Sequence, residues 1–351
     1  MKNSLFIFLT FVCCVINSYA ENVGDYQDSF VKTETAEKSA SILKQIDNMN
    51  IAVVAPSGYA LDAKRCQKGI DLLHERGFKV INYYDANQHV ERFAASDAYR
   101  LQQIKDAYHN PNVSIIMALR GGYGASRLLK DLDFQQMAKT GKIFVGYSDI
   151  TVIHMGLLKY GAVSLAGPMV CSDYGVEAPS RYTMEHFEKI LSHQENTIQW
   201  AAENNPDIDV SGVLWGGNLT MLAHLVGTPW LPDIRGGILF VEDVGEQPYR
   251  IERLLLQLDE AGILRRQKAL VLGHFTNYRV TDVDNGYDFN TMLTWLRHRL
   301  TIPVITGLPF GHTKDKVTLP VGAKAHLQSH SDQVILHLSD YPIIKNESDS
   351  K

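Results

Sequence analysis

Between residues 50 and 166 the chain repeats one pattern: a short unbroken apolar run, a break, then a segment with helical spacing. Ile51-Ala52-Val53-Val54-Ala55 is such a run. Pro56-Ser57-Gly58 stops it, and Leu61 to Arg76 follows with helical spacing until Gly77. A strand buried on both faces reads as a continuous apolar run, whereas a half-solvated strand alternates. Further strands are expected at Lys79–Tyr83, Ser114–Leu119, Ile143–Val145 and Ala162–Ala166. Helices fit between them at about Ala95–His109, Ala125–Ala138 and Ile150–Tyr160. Alternation of this kind folds into a parallel sheet covered on both faces. Ligands of such sheets sit at the carboxyl ends of the strands.

Other parts of the chain differ from this unit. Residues 1–20 have the form of a secretory signal: Lys2, an apolar run from Leu5 to Ile16, and Ser18-Tyr19-Ala20 as a small-x-small cleavage site. Residues 21–48 are polar and read as an exposed N-terminal segment, followed by a nucleophile-bearing α/β domain over 49–171. Polar composition with Pro179 and Pro206 marks 172–209 as a linker holding one helix near Met184–His193. A second domain over 210–340 has expected strands at Val213–Gly217, Gly236–Val241 and Ala269–Leu272, and a helix at Arg250–Glu260. After the leader no stretch approaches twenty apolar residues, so no membrane span is expected in the mature chain. The formal net charge is −5 and there is no basic block, which argues against a nucleic-acid partner. Cys66 and Cys171, the cysteines outside the leader, allow at most one disulfide and read as small buried residues.

Phe144-Val145-Gly146-Tyr147-Ser148-Asp149-Ile150-Thr151 has the form of a strand, a sharp turn and a helix, with Ser148 at the turn. A hydroxyl there stands clear of the sheet, and the neighbouring N–H groups lie at a helix N-terminus. Those donors and the helix dipole favour the negative charge of an acyl-transfer oxyanion. Ser148 is therefore a nucleophile candidate. Ile150 stands where the G-x-S-x-G elbow has its second glycine, which argues against an α/β-hydrolase. The competing reading makes Ser148 or Asp149 a helix cap.

Leu119-Arg120-Gly121-Gly122-Tyr123-Gly124 follows a strand and precedes a helix. It lacks a Walker lysine and a G-x-G-x-x-G, so a donor to an oxyanion hole fits better than a phosphate cradle. A serine nucleophile also needs a base and a group to orient that base. His312, framed by Leu308-Pro309-Phe310-Gly311 and Thr313, is the leading base, and His274 competes with it. Glu242 and Asp243 end an apolar strand and are the leading carboxylates. Neither an HExxH nor a dense ligand cluster occurs, so neither metal nor cofactor is implied.

Five segments occur together in order: Ala118–Gly124, Gly146–Thr151, Trp215-Gly216-Gly217-Asn218-Leu219-Thr220, Glu242-Asp243 with Pro248-Tyr249 and Arg253, and Pro309–Thr313. In this the chain resembles the LD-carboxypeptidase family over roughly residues 49–335. The resemblance implies a flavodoxin-like parallel-sheet N-terminal domain and a smaller β-rich α/β C-terminal domain. It implies Ser148 as nucleophile, His312 as general base and then acid, and Glu242 as the orienting carboxylate. The oxyanion would be held by the N–H of Asp149 and one from the Gly121-Gly122 turn, assigned to Gly122. Tyr123, Trp215 and Asn218 are the implied substrate-binding residues.

The implied reaction releases the terminal D-alanine of murein tetrapeptides from the L-centre of the third residue. Arg120 has the spacing to pair the substrate carboxylate, although a structural salt bridge is its more expected role. Family members are often dimeric, so a homodimer is a candidate assembly. Relatives in the recycling pathway are typically cytoplasmic, whereas the leader implies a periplasmic or secreted protein. Two other readings fit the same residues: an immunity-type peptidase or amidase acting on another conjugate such as microcin C, and an inactive muropeptide-binding protein.

Overall fold

Five short strands build the first sheet: β1 (Asn50–Val54), β2 (Lys79–Asn82), β3 (Ile115–Ala118), β4 (Ile143–Gly146) and β5 (Ser164–Ala166). All neighbours among them are parallel, in the order β2-β1-β3-β4-β5. That is the doubly wound, flavodoxin-like order, with its switch point between β1 and β3. The structure is a computed structural model and describes residues 49–343; the expected leader (1–20) and exposed segment (21–48) lie outside the described residues. Every residue of β3, β4 and β5 is buried, as continuous apolar runs require. Asp62 caps helix α1 (Ala63–Glu75) and Ser96 caps α2 (Asp97–His109). Each side chain accepts a hydrogen bond from the first helical turn, supplying a partner the helix itself cannot. Strand β11 (Leu319–Val321), far along the chain, adds antiparallel to β5 at the edge of this sheet, a position that tolerates Pro320.

The single helix expected over Ala125–Ala138 is two pieces, a 3₁₀ turn at Ala125–Leu128 and a short α3 at Phe134–Lys139. Asp133 starts the second piece by accepting from the Gln136 N–H. Phe134 then seats its ring against Gly156, where a Cβ would lie 2.4 Å from the ring. Tertiary packing outweighs helical periodicity at this point. Helix α4 (Thr151–Leu158) follows β4, and every one of its residues is buried.

The second sheet has the order β10-β9-β8-β7-β12-β13-β6. Its parallel half is β7 (Ile208–Asn218), β8 (Ile238–Val244), β9 (Ala269–Thr276) and β10 (Val304–Ile305). Its antiparallel half joins β7 to β12 (Lys324–His330), β13 (Gln333–Ser339) and β6 (Asn196–Ala201). Strand β7 belongs to both halves. Its first residues are alternately exposed, as in a half-solvated strand, and Leu214–Asn218 are buried without interruption beside β8. Within 172–209 the structure holds α5 (Arg181–Ser192), as expected, and also the strand β6, which the sequence reading did not include. Its period-two burial lies in a polar setting, where Ile198 and Trp200 are the main apolar signal.

Cys66 and Cys171, expected as small buried residues able to form at most one disulfide, are both buried and joined in that disulfide. The bond ties α1 to the turn at Val170–Tyr174 across 105 residues of chain. Cross-links of this kind typically stabilise by about 2–4 kcal/mol. The Cys171 N–H also donates to the Leu119 carbonyl (2.9 Å), so the cross-link stands at the root of the Arg120–Gly124 loop.

Candidate active site

Strand β4 ends at Gly146, where φ is +158° and a Cβ would lie 2.9 Å from Ile150 Cγ1 and 3.1 Å from Ala118 Cβ. Only glycine permits the chain to turn back there. After Tyr147 comes a 3₁₀ turn, Ser148–Ile150, that leads into α4. Ser148 has φ +64°, a left-handed conformation that costs a non-glycine residue about 1–3 kcal/mol and persists only where the surroundings enforce it.

Buried Asp149 is part of that enforcement. Its Oδ2 accepts from Ser57 Oγ (2.5 Å) and from the Ala125 N–H (2.9 Å). One carboxylate thus fastens the loops after β1 and β3 to the turn after β4. Burial pushes its pKa above the ordinary carboxylate value, while the two donors oppose that shift. Gly121 lies against the nucleophile candidate: a Cβ there would be 2.9 Å from Ser148 Cβ and 3.0 Å from Oγ. The Gly121 carbonyl accepts from the Gly58 N–H (3.4 Å). In a trans peptide the Gly122 N–H therefore faces the opposite way.

Glu242 is fully buried on β8. Beside it the β8–β9 register shifts, with Val241 opposite Leu272 but Asp243 opposite Phe275. Two residues of β9, Gly273 and His274, thus span the place of one, a β-bulge of the kind that re-aims a side chain. Gly273 lets the next loop approach closely, since a Cβ there would lie 2.4 Å from the Phe310 carbonyl oxygen. The His274 N–H donates to that same oxygen (2.8 Å). So held, the loop presents His312 Nδ1 2.6 Å from Glu242 Oε2. The ring is partly exposed and the carboxylate is not. A carboxylate on Nδ1 fixes the proton at that nitrogen and leaves Nε2 free to accept one.

Thr151 and Asn218 link the two parts. The Asn218 N–H donates to Thr151 Oγ1 (3.0 Å), and Asn218 Nδ2 donates to Glu242 Oε1 (3.3 Å) and Asp243 Oδ1 (2.8 Å). A continuous path of contacts thus runs from the helix after Ser148 to Glu242 and on to His312. Tyr147, next to Ser148, sets its ring edge-on to His312 with centroids 5.0 Å apart. On that ring lies the Lys316 ammonium (5.1 Å from the centroid), itself ion-paired in the interior with Asp173.

Several residues sit differently from the sequence reading. Trp215 is 1 % exposed and gives its indole N–H to Gln267 Oε1 (3.0 Å); it is core, with no face toward a substrate. Asn218 is also buried, and its amide is spent on Glu242, Asp243 and the Met221 N–H. Tyr123 is exposed and lines a cleft of about 400 Å³ with Tyr59, Leu61 and Gly122. Arg120 lines the same cleft but does not make the expected salt bridge. Its Nη1 donates to the Tyr59 carbonyl (3.1 Å), and no carboxylate among the described residues pairs with it. The His274 Nδ1 has no hydrogen-bond partner among the described residues, and burial pulls that ring's pKa down. Asp243 serves Thr220 and Asn218. The Asp149 clasp and the Thr151–Asn218 link escaped the sequence reading because their partners lie 92 and 67 positions away.

The LD-carboxypeptidase N-terminal domain model matches residues 51–167, and the C-terminal domain model of the same family matches 211–327. The chain belongs to the LD-carboxypeptidase family. Among solved structures, this LD-carboxypeptidase is similar to a muramoyltetrapeptide carboxypeptidase from Oxalobacter formigenes. The two are 59 % identical with a TM-score of 0.81, over 84 % of this chain and 100 % of that one. The murein tetrapeptide carboxypeptidase of Pseudomonas aeruginosa is 30 % identical over 70 % of this chain and 84 % of its own. The microcin C7 self-immunity protein of Escherichia coli is 28 % identical over 73 % of this chain and 83 % of its own. Family membership makes this chain a peptidase of the carboxypeptidase class. Among the described residues, no helix is long and apolar enough to cross a membrane.

Proposed function

We propose that this chain is a serine LD-carboxypeptidase that removes the terminal D-alanine from murein tetrapeptides. The observation that carries the reading is the 2.6 Å contact between buried Glu242 and His312, on a ring that packs against the neighbour of Ser148. Glu242 holds the imidazole so that Nε2 takes the Ser148 proton as Oγ attacks the carbonyl of the third residue. The oxyanion so formed is received by the N–H groups of Asp149 and Gly122. Collapse expels D-alanine, whose amine takes its proton from His312. Water, deprotonated by the same imidazole, then releases the tripeptide from Ser148. The first sheet supplies the nucleophile and the second supplies base and acid.

An oxidising compartment is supported by the leader-like N-terminus and by the Cys66–Cys171 disulfide, a bond rare in cytosolic proteins. A periplasmic or secreted enzyme there would meet the sacculus or freshly released muropeptides.

Mass spectrometry of murein tetrapeptide incubated with the chain and with Ser148→Ala tests the reading. The unaltered chain is expected to remove one alanine, and the variant to be slower by about 10⁴–10⁶-fold with its fold intact. Equal hydrolysis by both would remove Ser148 from the mechanism.

A further inference from the structure

We propose that Arg120 is the residue that selects for a free C-terminal carboxylate, by binding that group in the cleft beside Gly122. The inference rests on the carboxypeptidase reading above and names the group this site recognises. The guanidinium flanks the catalytic loop: the Cβ positions of Gly58 and Gly122 lie 3.5 Å from its Cζ and 3.6 Å from its Nη2. Gly121, between Arg120 and Gly122, is the residue that touches Ser148. A peptide whose scissile carbonyl reaches Ser148 has its terminal carboxylate only one residue further on, roughly 3.5 Å of chain.

The donor set suits that group. Arginine presents five N–H donors in a planar fork matched to a carboxylate. Here one of its nitrogens, Nη1, is bonded to the Tyr59 carbonyl, and the half-buried charge has no carboxylate partner among the described residues. A partly desolvated cation without a counter-ion is costly, and an incoming anion relieves that cost. Arg92, stacked on Tyr123 (5.6 Å from the ring centroid), adds a second positive charge to the lining, against the single carboxylate of Glu91. The remaining walls, Tyr59, Leu61 and Tyr123, are apolar enough to pack a small side chain, and Leu61 is 73 % exposed.

The test compares kcat/KM for the tetrapeptide acid, the same peptide as its C-terminal amide, and a peptide with lysine in place of diaminopimelate at the third position. The last separates the terminal carboxylate from a side-chain carboxylate. The unaltered chain is expected to prefer acid over terminal amide by about 10–100-fold, the range for a hydrogen bond to a charged group. Arg120→Gln should lose that factor on the acid and leave the amide unchanged, and Arg120→Lys should recover part of it. An equal loss on acid and amide, with Arg120→Lys no better, would overturn the proposal in favour of a structural role. A preference that follows the third-residue side chain would also overturn it. Failure of the unaltered chain to cleave the acid at all would instead overturn the functional reading, and this inference with it.

Discussion

The two sheets place the groups of the proposed site by different means. In the first, Ser148 is set by its own neighbourhood: a glycine that ends β4, a left-handed residue and a helix that begins at once. In the second, Glu242 and His312 are 70 positions apart and meet through a bulge, a buried carbonyl contact and the Asn218 amide. The position of Ser148, the proposed nucleophile, is thus a local property of a turn, whereas the contact of Glu242 with His312, the proposed orienting carboxylate and base, is a property of strand registry. The Thr151–Asn218 bond and the Tyr147–His312 contact join the two arrangements.

The largest effect is expected for Glu242→Gln. The amide keeps the shape but not the charge that fixes the His312 proton on Nδ1, so turnover should fall by about 10⁴-fold without loss of fold. A change below tenfold, measured as tetrapeptide kcat with circular dichroism as control, would mean the registry-built pair is not the base. Next in size is Gly121→Ala, which probes the locally built half. The added methyl would meet Ser148 Cβ at 2.9 Å and push loop or serine aside. A loss of about 10²–10³-fold in kcat is expected, the size of losing one oxyanion donor. Unchanged kcat would show that the loop has room to yield.

The smallest effect concerns stability. His154 lies against β4, fully buried, with Nε2–H donating to the Gly146 carbonyl and Nδ1 accepting from Ser164 Oγ (2.8 Å each). Burial lowers its pKa from 6.5 to about 4. Between those values the unfolded chain binds more protons than the folded one. Its stabilising effect is therefore complete above pH 6.5 and declines as pH falls toward 4, by at most about 1.4 kcal/mol per unit. Urea midpoints between pH 7 and pH 4.5 should show that decline, and His154→Gln should flatten it. An equal slope in the variant would assign the pH dependence to other groups.

Much of the first sheet was legible because buried parallel strands announce themselves as apolar runs, and β1 to β5 fall within two residues of their expected ends. Strand β6 was not, since six residues of alternating burial in polar surroundings differ little from a linker. The family resemblance implies a substrate contact for Trp215, but β7 passes from half-solvated to fully buried just before it. Arg120 went the other way: a structural salt bridge is the expected role, and the fold leaves the guanidinium lining a cleft with no carboxylate paired to it among the described residues.

By itself the sequence determined the alternation that makes a parallel sheet, the turn that exposes Ser148, and an ordered set of motifs shared with one family. Those are local properties, written in runs of fewer than about ten residues, where backbone sterics and burial act directly. The tertiary structure alone settled that Cys66 and Cys171 join, how Glu242 is brought against His312, what Asp149 fastens, and which motif residues face a cleft or the core. Each of those depends on contacts between residues far apart in the chain, and such contacts leave no periodicity in the sequence to read.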